Sequence, residues 1–421
     1  MNNGVMIVAE GLEYSLDCYE TQLNNNVMVV GASGAGKTTR IVIPNIMQAN
    51  GSYIVTDPKG NLYRKIGPYL EKNGYEVMSL DLAEPSDRVR YNFIDYIQTE
   101  QDVIKAAHML MTGDGSEARK GHNAFFYNTG ELYVAAAIAT LKFVEDEPFT
   151  FDSIFSFCRN TILGETNNTV WDTESWVEEY KWWSLSKRLL NTVCNMSDET
   201  GHSVFSTIGS VLGRLNTKGV EEMMTSEEHP LDIKGIGNKK TALFVKVSDT
   251  DRSLDTLVDI FFTQAMEVLC HYADTECENE TLPVPVQFIM DDFATNCTIE
   301  GFPRMISSIR SRNISTMIML QAESQLEKKY DRDWTTVMSN CDTYVYMGGN
   351  DLRTAESIAK RADLPVKKIL YMPVGTNWVF RRGQAPINGE NYNCRKHIPE
   401  LFDQDIIRPK EKADKRIRAR L

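Results

Sequence analysis

A short glycine-rich stretch carries the clearest chemistry in the sequence. Residues 31 to 38 are GASGAGKT and fit the pattern GxxxxGK[ST] at every fixed position, after an apolar run and before a helical segment. Glycines let such a loop turn tightly, so that its backbone N–H groups point at phosphate oxygens. We expect Lys37 to neutralise β- and γ-phosphate charge and the Thr38 hydroxyl to ligate Mg²⁺. The predicted nucleotide contacts are Gly31, Ala32, Ser33, Gly34, Ala35, Gly36, Lys37, Thr38 and Thr39.

A phosphate-binding loop also needs a carboxylate from a neighbouring strand, for the metal and for the attacking water. Two apolar runs supply candidates: YIVTD ends at Asp57, and VQFIMDD ends at Asp291 and Asp292. We favour the acid pair because it provides both roles at once. Asp291 is predicted to hold the Mg²⁺ shell through water, and Asp292 to polarise the nucleophilic water as a general base.

A polar amide ends the next predicted strand, STMIMLQ, at Gln321. The carboxyl ends of neighbouring parallel strands lie at one edge of a sheet, so we expect Gln321 beside the acid pair. There its amide can contact both water and γ-phosphate. Gln325 lies one helical turn further along. The alternative for either glutamine is a helix cap or a surface residue.

Repeated strand–helix–strand units are expected to position these residues. Apolar runs at 27–30, 52–57 and 75–82 alternate with helical segments, and a second alternating series extends from 241 to 349. Apolar strands in such units predict an α/β fold with a mostly parallel sheet covered on both faces. Lys37 and Asp291 are further apart than a few units of roughly 30 residues require, which indicates an insertion.

The insertion is predicted to be entirely helical. We expect a discontinuous nucleotide-binding domain, residues 1–100 and 229–421, interrupted by an all-α domain over 101–228. Asn128 with Glu131 predicts a capping box that opens one of the inserted helices. The final residues, 408–421, carry seven basic and two acidic side chains. They predict a solvated basic tail, with an interaction tail as the alternative.

Composition narrows the classes of function. The formal net charge of −13 argues against nucleic acid coating the whole outer surface, although a local basic groove or channel remains compatible with it. Eight cysteines without a CxxC pair argue against a zinc site or a disulfide framework and favour a reducing compartment. The longest apolar run, residues 132–141, is too short to span a bilayer. No signal-peptide pattern begins the sequence, so we expect a soluble, cytoplasmic chain.

With these motifs in place, the chain resembles the type IV secretion coupling proteins (TraG-like), which are hexameric RecA-like ATPases of bacterial conjugation. The resemblance covers nearly the full length. It is carried by NNNVMVVGASGAGKTT, IVTDPKGN, YNFIDYI, KKTALFVKVSDTD, FIMDDFA, QAESQL and SNCDTYVYMGGND. The DPKG element after the second strand, followed much later by an acidic pair, is more specific than the glycine loop. The helical insertion lies where this family has its all-α domain.

The resemblance implies a RecA-like P-loop NTPase that binds ATP and Mg²⁺ and forms a homo-hexameric ring at the cytoplasmic face of the membrane. Such a motor links a complex of DNA and relaxase to the type IV secretion channel and drives DNA, and sometimes protein, through it. By the same resemblance, Lys37 and Thr38 bind phosphate and Mg²⁺. Asp291 is the metal carboxylate, Asp292 lies at the position of the catalytic acid, and Gln321 senses the γ-phosphate.

A hexamer also suggests a role for two arginines. In ring ATPases an arginine from one subunit completes the neighbouring site by supplying charge to the γ-phosphate in the transition state. Arg310 and Arg312 lie between the acid-pair strand and the Gln321 strand, so both are candidates. The alternative is a solvated helix end.

The chain departs from the family pattern in three ways. Asp292 stands where glutamate is usual, and its shorter side chain is expected to hold the water less well and slow hydrolysis. Asn61 follows DPKG where glutamate is usual. Family members usually begin with transmembrane helices, so we expect either a variant held peripherally at the membrane by a separate anchor or a truncated product. Two alternatives to a DNA motor stay open: an ATP-binding substrate receptor with little hydrolysis, and a related ring ATPase of the secretion channel.

Overall fold

The computed structural model describes residues 4–113, 123–142, 149–164, 181–193 and 196–397. The predicted basic tail, residues 408–421, lies outside these ranges. The described residues form eleven strands: β1 (Val5–Ala9), β2 (Leu12–Ser15), β3 (Val27–Val30), β4 (Ser52–Thr56), β5 (Glu76–Asp81), β6 (Thr241–Lys246), β7 (Val286–Met290), β8 (Ile314–Leu320), β9 (Thr343–Tyr346), β10 (Thr376–Arg381) and β11 (Ile387–Glu390).

Nine of these strands form one mostly parallel sheet. Its order is β11-β10-β9-β3-β8-β7-β4-β6-β5. The seven strands from β9 to β5 pair in parallel, whereas β10 pairs antiparallel with both β9 and β11. The strands β1 and β2 form a separate antiparallel pair. The predicted runs at 27–30, 52–57 and 75–82 are confirmed as β3, β4 and β5, and the predicted series from 241 to 349 is confirmed as β6 to β9. The four strands that were not predicted are β1, β2, β10 and β11.

Both faces of the sheet are buried, as near-continuous apolar strands require. Alternate residues of β3 belong to different apolar clusters: Val27 and Val29 pack on one face, Met28 and Val30 on the other. The first face is covered by the helix after the glycine loop and by the helix Asn61–Lys72. The second is covered by the long helix Asp255–Glu276 and by helices from the predicted insertion.

Helices connect the strands. Those within or following the sheet are Cys18–Thr21, Ile43–Met47, Asn61–Lys72, Ile233–Ile236, Asp255–Glu276, Phe293–Asn296, Phe302–Met305, Glu323–Tyr330, Trp334–Ser339, Leu352–Ala362, Val366–Leu370 and Cys394–His397. A π-helical turn, Thr38–Val42, precedes Ile43–Met47.

The part of the chain between β5 and β6 that the structure describes contains helices and no strand. These helices are Glu100–Thr112, Ala124–Leu141, Phe151–Leu163, Lys181–Val193, Asp198–Leu212 and Lys218–Thr225. The chain enters and leaves this segment side by side, because the Arg90 amide donates to His229 and the Leu231 amide donates to Arg90. Lys105 forms a 2.5 Å ion pair with Glu267 of the long helix, so the segment packs directly on the sheet layer.

One cap predicted in this segment is wrong. The helix predicted to open at Asn128 begins at Ala124, so Asn128 lies inside it. Glu131 instead lies 3.1 Å from the His108 ring, on the preceding helix, and this tertiary contact replaces the predicted local one. Within the described residues, no helix combines the length and the apolar character needed to cross a membrane.

Candidate functional site

The glycine loop follows directly from the buried strand β3 and is supported by the strands on either side. Gly31 donates to the Leu320 carbonyl at the end of β8, and Ala32 donates to Gly348 after β9. Gly34 and Gly36 have φ angles of 79° and 92°, a region that side chains with a Cβ rarely occupy. The two glycines are therefore what allows the tight turn between strand and helix.

The loop ends at Lys37, whose side chain folds back over it. The Lys37 ammonium donates to the Gly31 carbonyl over 2.8 Å, and the residue is only 7 % exposed. This places a positive charge inside the curve of the loop. Thr38 then opens the π-helical turn. Backbone N–H groups at the start of a helix, together with an enclosed lysine, form a site for phosphate oxygens.

The acid pair reaches this loop across an intervening strand. Although β8 lies between β3 and β7, the Thr38 hydroxyl donates to Asp291 Oδ2 over 2.5 Å. Asp291 is the first residue after β7. Burial raises the pKa of the Asp291 carboxyl, and the Asp292 charge adds to this, while the Thr38 hydrogen bond and Lys37 oppose it. The structure therefore brings the two predicted metal residues into contact.

Thr56, which the sequence analysis did not single out, holds Asp291 in place. Its hydroxyl accepts from the Asp291 amide over 2.7 Å and donates to the Asp291 carbonyl over 3.2 Å. Thr56 is fully buried at the end of β4, the strand next to β7. Its position beside Asp57 in the run YIVTD was the available signal. The strand pairing was needed to show which acid this threonine serves.

Asp292 and Gln321 lie next to each other, as expected for neighbouring parallel strands. The Gln321 side-chain amide donates to Asp292 Oδ1 over 3.4 Å. The Gln321 backbone amide donates to Gln325 Oε1 over 2.8 Å, so Gln325 serves as a local cap. Asp292 has a left-handed backbone, with φ of 48°. This conformation is several-fold enriched for aspartate and asparagine among residues other than glycine.

The other candidate carboxylate, Asp57, has a different task. Its two oxygens accept from the backbone amides of Asn61 and Tyr63, over 3.0 and 2.9 Å. It thus satisfies the free N–H groups at the start of the helix Asn61–Lys72. Gly60, with φ of 61°, makes the turn of the DPKG element. The carboxylate that contacts the glycine loop is Asp291.

The structure does not bring Arg312 to this site. Arg312 precedes β8, whereas Gln321 follows its last residue, so a whole strand of roughly 20 Å separates them. Its guanidinium makes two hydrogen bonds to the Asp274 carboxylate, at 2.7 and 2.8 Å. Arg310 donates to the Cys18 carbonyl on the same edge. Both arginines therefore lie at the amino end of β8, whereas the glycine loop lies at the carboxyl end of the neighbouring parallel strand β3.

The donor set fits Mg²⁺ bound together with phosphates. Thr38 and Asp291 offer hard oxygen ligands, the kind that Mg²⁺ prefers. Within the described ranges there is no cluster of three or more His, Cys, Asp or Glu side chains that could hold a metal alone. Mg²⁺ usually keeps several waters and is bound by one or two carboxylates plus substrate phosphates, and the residues present match that mode.

Comparisons with known proteins point in one direction. A family model described as type IV secretory system conjugative DNA transfer matches residues 6–362. Protein VirD4 of Rhizobium radiobacter is 24% identical over 348 residues, which cover 79% of this chain and 47% of the relative. The conjugal transfer protein TraG of Escherichia coli is 20% identical over 357 residues, covering 80% of this chain and 54% of the relative. The chain thus spans about half the length of these curated relatives.

Solved structures show the same fold. The plasmid coupling protein TrwB in complex with ADP and Mg²⁺ superposes with a TM-score of 0.65 at 14% identity. The match covers 92% of this chain and 88% of that chain. The prediction of a RecA-like P-loop fold with a mostly parallel sheet is therefore confirmed.

Proposed function

This chain belongs to the family of type IV secretory system proteins for conjugative DNA transfer, and we propose that it is the ATP-hydrolysing coupling protein of such a system. The carrying observation is the 2.5 Å contact between Thr38 and Asp291, two residues far apart in the chain. It joins the glycine loop to a strand-end carboxylate, which is the arrangement that phosphoryl transfer requires. The fold shared with TrwB, whose structure contains ADP and Mg²⁺, supports ATP and Mg²⁺ as the ligands.

Each residue of the site has a task in hydrolysis. Bound Mg²⁺ neutralises charge that develops on the β- and γ-phosphates. Lys37, held inside the loop by Gly31, adds a second positive charge, and Thr38 and Asp291 hold the metal shell. Asp292 accepts the proton of the attacking water as a general base. Gln321, whose amide already donates to Asp292, orients that water and contacts the γ-phosphate.

The wider assembly is part of the proposal. The protein forms a homo-hexameric ring at the inner face of the membrane, recruits a relaxase bound to DNA and moves the DNA to the secretion channel. The helical segment 101–228 is an inserted domain that faces this substrate complex, set on the nucleotide-binding domain of residues 1–100 and 229–421. Arg312 completes the site of the neighbouring subunit, a role that requires it to leave Asp274.

One observation favours a second candidate, an ATP-dependent substrate receptor with little hydrolysis. Asp292 has a shorter side chain than the glutamate usual at this position. Its contact with Gln321 is 3.4 Å, at the long end for a hydrogen bond. A loosely held general base lowers turnover without affecting nucleotide binding.

ATP turnover of the purified protein tests the proposal. Turnover is measured with and without single- and double-stranded DNA, for the wild type, for Lys37→Ala and for Lys72→Ala. Lys72 is an exposed lysine on the helix after DPKG and is the matched control. We expect DNA to stimulate wild-type and Lys72→Ala turnover and Lys37→Ala to be inactive. Turnover that is insensitive to both DNA and Lys37→Ala would refute the motor, and nucleotide binding without turnover would favour the receptor.

A further inference from the structure

The segment that follows the acid pair is held by polar side chains from two helices and from the loop that precedes one of them. Asp292 leads directly into the short helix Phe293–Asn296. The Lys329 ammonium donates to the Ala294 carbonyl over 3.2 Å, and Arg252 donates to the Thr295 carbonyl over 3.4 Å. The amide of Thr298 donates to Asp259 Oδ1 over 2.5 Å. This backbone is therefore anchored from outside within a few residues of the general base.

Lys329 is the anchor that lies on the helix following Gln321. The helix Glu323–Tyr330 begins just after Gln321 and carries Lys329 near its end. The ammonium lies 5.5 Å from the centre of the Phe293 ring, a cation–π distance. The next residue, Tyr330, stacks on the same ring with a centroid distance of 6.0 Å.

Two contacts thus fix this helix relative to the acid-bearing segment. At its start, Gln321 donates to Asp292, and near its end, Lys329 donates to Ala294. Two contacts separated by about two helical turns set both its position and its direction. The general base and the sensor are then held as one unit.

Lys329 is half-buried, and keeping its charge in that position is costly for stability. Burial lowers the pKa of its ammonium, and Cys297, Asp259 and Asp255 oppose this. A buried charge with partners is often no more stabilising than an apolar side chain of similar volume. Methionine would fill the same space without a charge. The hydrogen bond to the Ala294 carbonyl, in the segment that carries the base, is a contact that methionine could not make.

We propose that Lys329 is a positioning residue for hydrolysis, which keeps Asp292 in register with Gln321 through the Ala294 carbonyl. The proposal rests on the hydrolytic function proposed above. Lys329 does not touch the nucleotide. Its loss therefore displaces the general base while the glycine loop, on another part of the sheet, continues to bind nucleotide.

Three variants test this role. Lys329→Met keeps the apolar stem and removes the donor, and Lys329→Arg keeps a donor and a charge. Lys328→Met is the matched control, since Lys328 is the exposed neighbour on the same helix. We expect Lys329→Met to lower kcat at least about tenfold, because a small misplacement of a reacting group is costly. Nucleotide Kd should stay within about twofold, Lys329→Arg should recover part of kcat, and Lys328→Met should match the wild type.

Hydrogen–deuterium exchange separates this proposal from the proposed function, since it needs no turnover. In nucleotide-free protein, Lys329→Met should raise the rate of amide exchange in residues 293–298. The exchange rate in β3 should stay that of the wild type. Faster exchange shows that Lys329 holds this segment, whether or not the wild type hydrolyses ATP, so failure of the anchoring and failure of the hydrolytic function can be told apart. An unchanged exchange rate in 293–298 overturns the positioning role. In a wild type that hydrolyses ATP, an unchanged kcat for Lys329→Met also overturns the positioning role. A fall of kcat and nucleotide affinity together overturns it as well, because a general loss of structure would cause that result.

Discussion

Replacing Asp292 separates its chemical role from its conformational one. Asp292→Glu adds one carbon–carbon bond of about 1.5 Å to a carboxylate that lies 3.4 Å from the Gln321 amide. A hydrogen bond to a charged group contributes about 1.5–3 kcal/mol. If the longer side chain strengthens this hydrogen bond by roughly 1 kcal/mol in the transition state, turnover rises about fivefold. The backbone opposes the change, because the left-handed conformation at φ of 48° costs a longer side chain about 1 kcal/mol of folding stability.

The assay pairs Asp292→Glu with Asp292→Asn. Asparagine tolerates the left-handed backbone but is no base, so its turnover should fall by a factor of about 10² to 10⁴ with stability retained. Steady-state ATP turnover gives the first quantity and denaturant unfolding the second. Turnover of Asp292→Asn close to that of the wild type would refute the general-base role. A slower Asp292→Glu with unchanged stability would show that the shorter side chain does not limit hydrolysis.

Three further predictions concern the surroundings of the site. Burial raises the pKa of Asp259 to about 7 from 3.8, so the protonated form stabilises the fold at low pH and this contribution is lost as pH rises towards 7. In urea unfolding, the stability of Asp259→Asn relative to the wild type should therefore grow by up to about 3 kcal/mol between pH 5 and 8; a difference independent of pH would contradict this. ADP with Mg²⁺ should raise the melting temperature more than ADP with EDTA does, and Thr38→Val should abolish this difference. A difference as large as in the wild type would show that Thr38 is not a ligand of the metal. Arg312→Ala and Lys37→Ala should each be inactive alone. Turnover should recover when the two variants are mixed in one ring, because a Lys37→Ala subunit still supplies Arg312 to the intact nucleotide site of an Arg312→Ala neighbour. No recovery would count against an arginine acting between subunits.

The strands nearest the chemistry were predictable from sequence. Apolar runs such as 27–30 and 286–290 are buried on both faces of a parallel sheet, so their composition alone marks them. The strand β10 escaped prediction because it alternates buried and half-buried residues and pairs antiparallel near the edge. The cap predicted at Asn128 was wrong for a related reason. A local capping pattern says nothing about the contact of Glu131 with His108 on another helix.

The sequence by itself marked the glycine loop, the acid pair and Gln321 as the candidate site, since each depends on a few adjacent residues at the end of a strand. Tertiary structure decided how they meet. Only the strand order shows that Thr38 reaches Asp291 across β8. The pairing of β4 with β7 lets Thr56 hold the Asp291 backbone. Asp57, in contrast, caps the helix Asn61–Lys72. The direction of β8 places Arg312 at the amino end of the strand, away from the glycine loop, and the packing of the helix Glu323–Tyr330 places Lys329 beside Ala294. These outcomes depend on which distant strands and helices pack together, and that is set by burial across the whole chain and not by any local pattern.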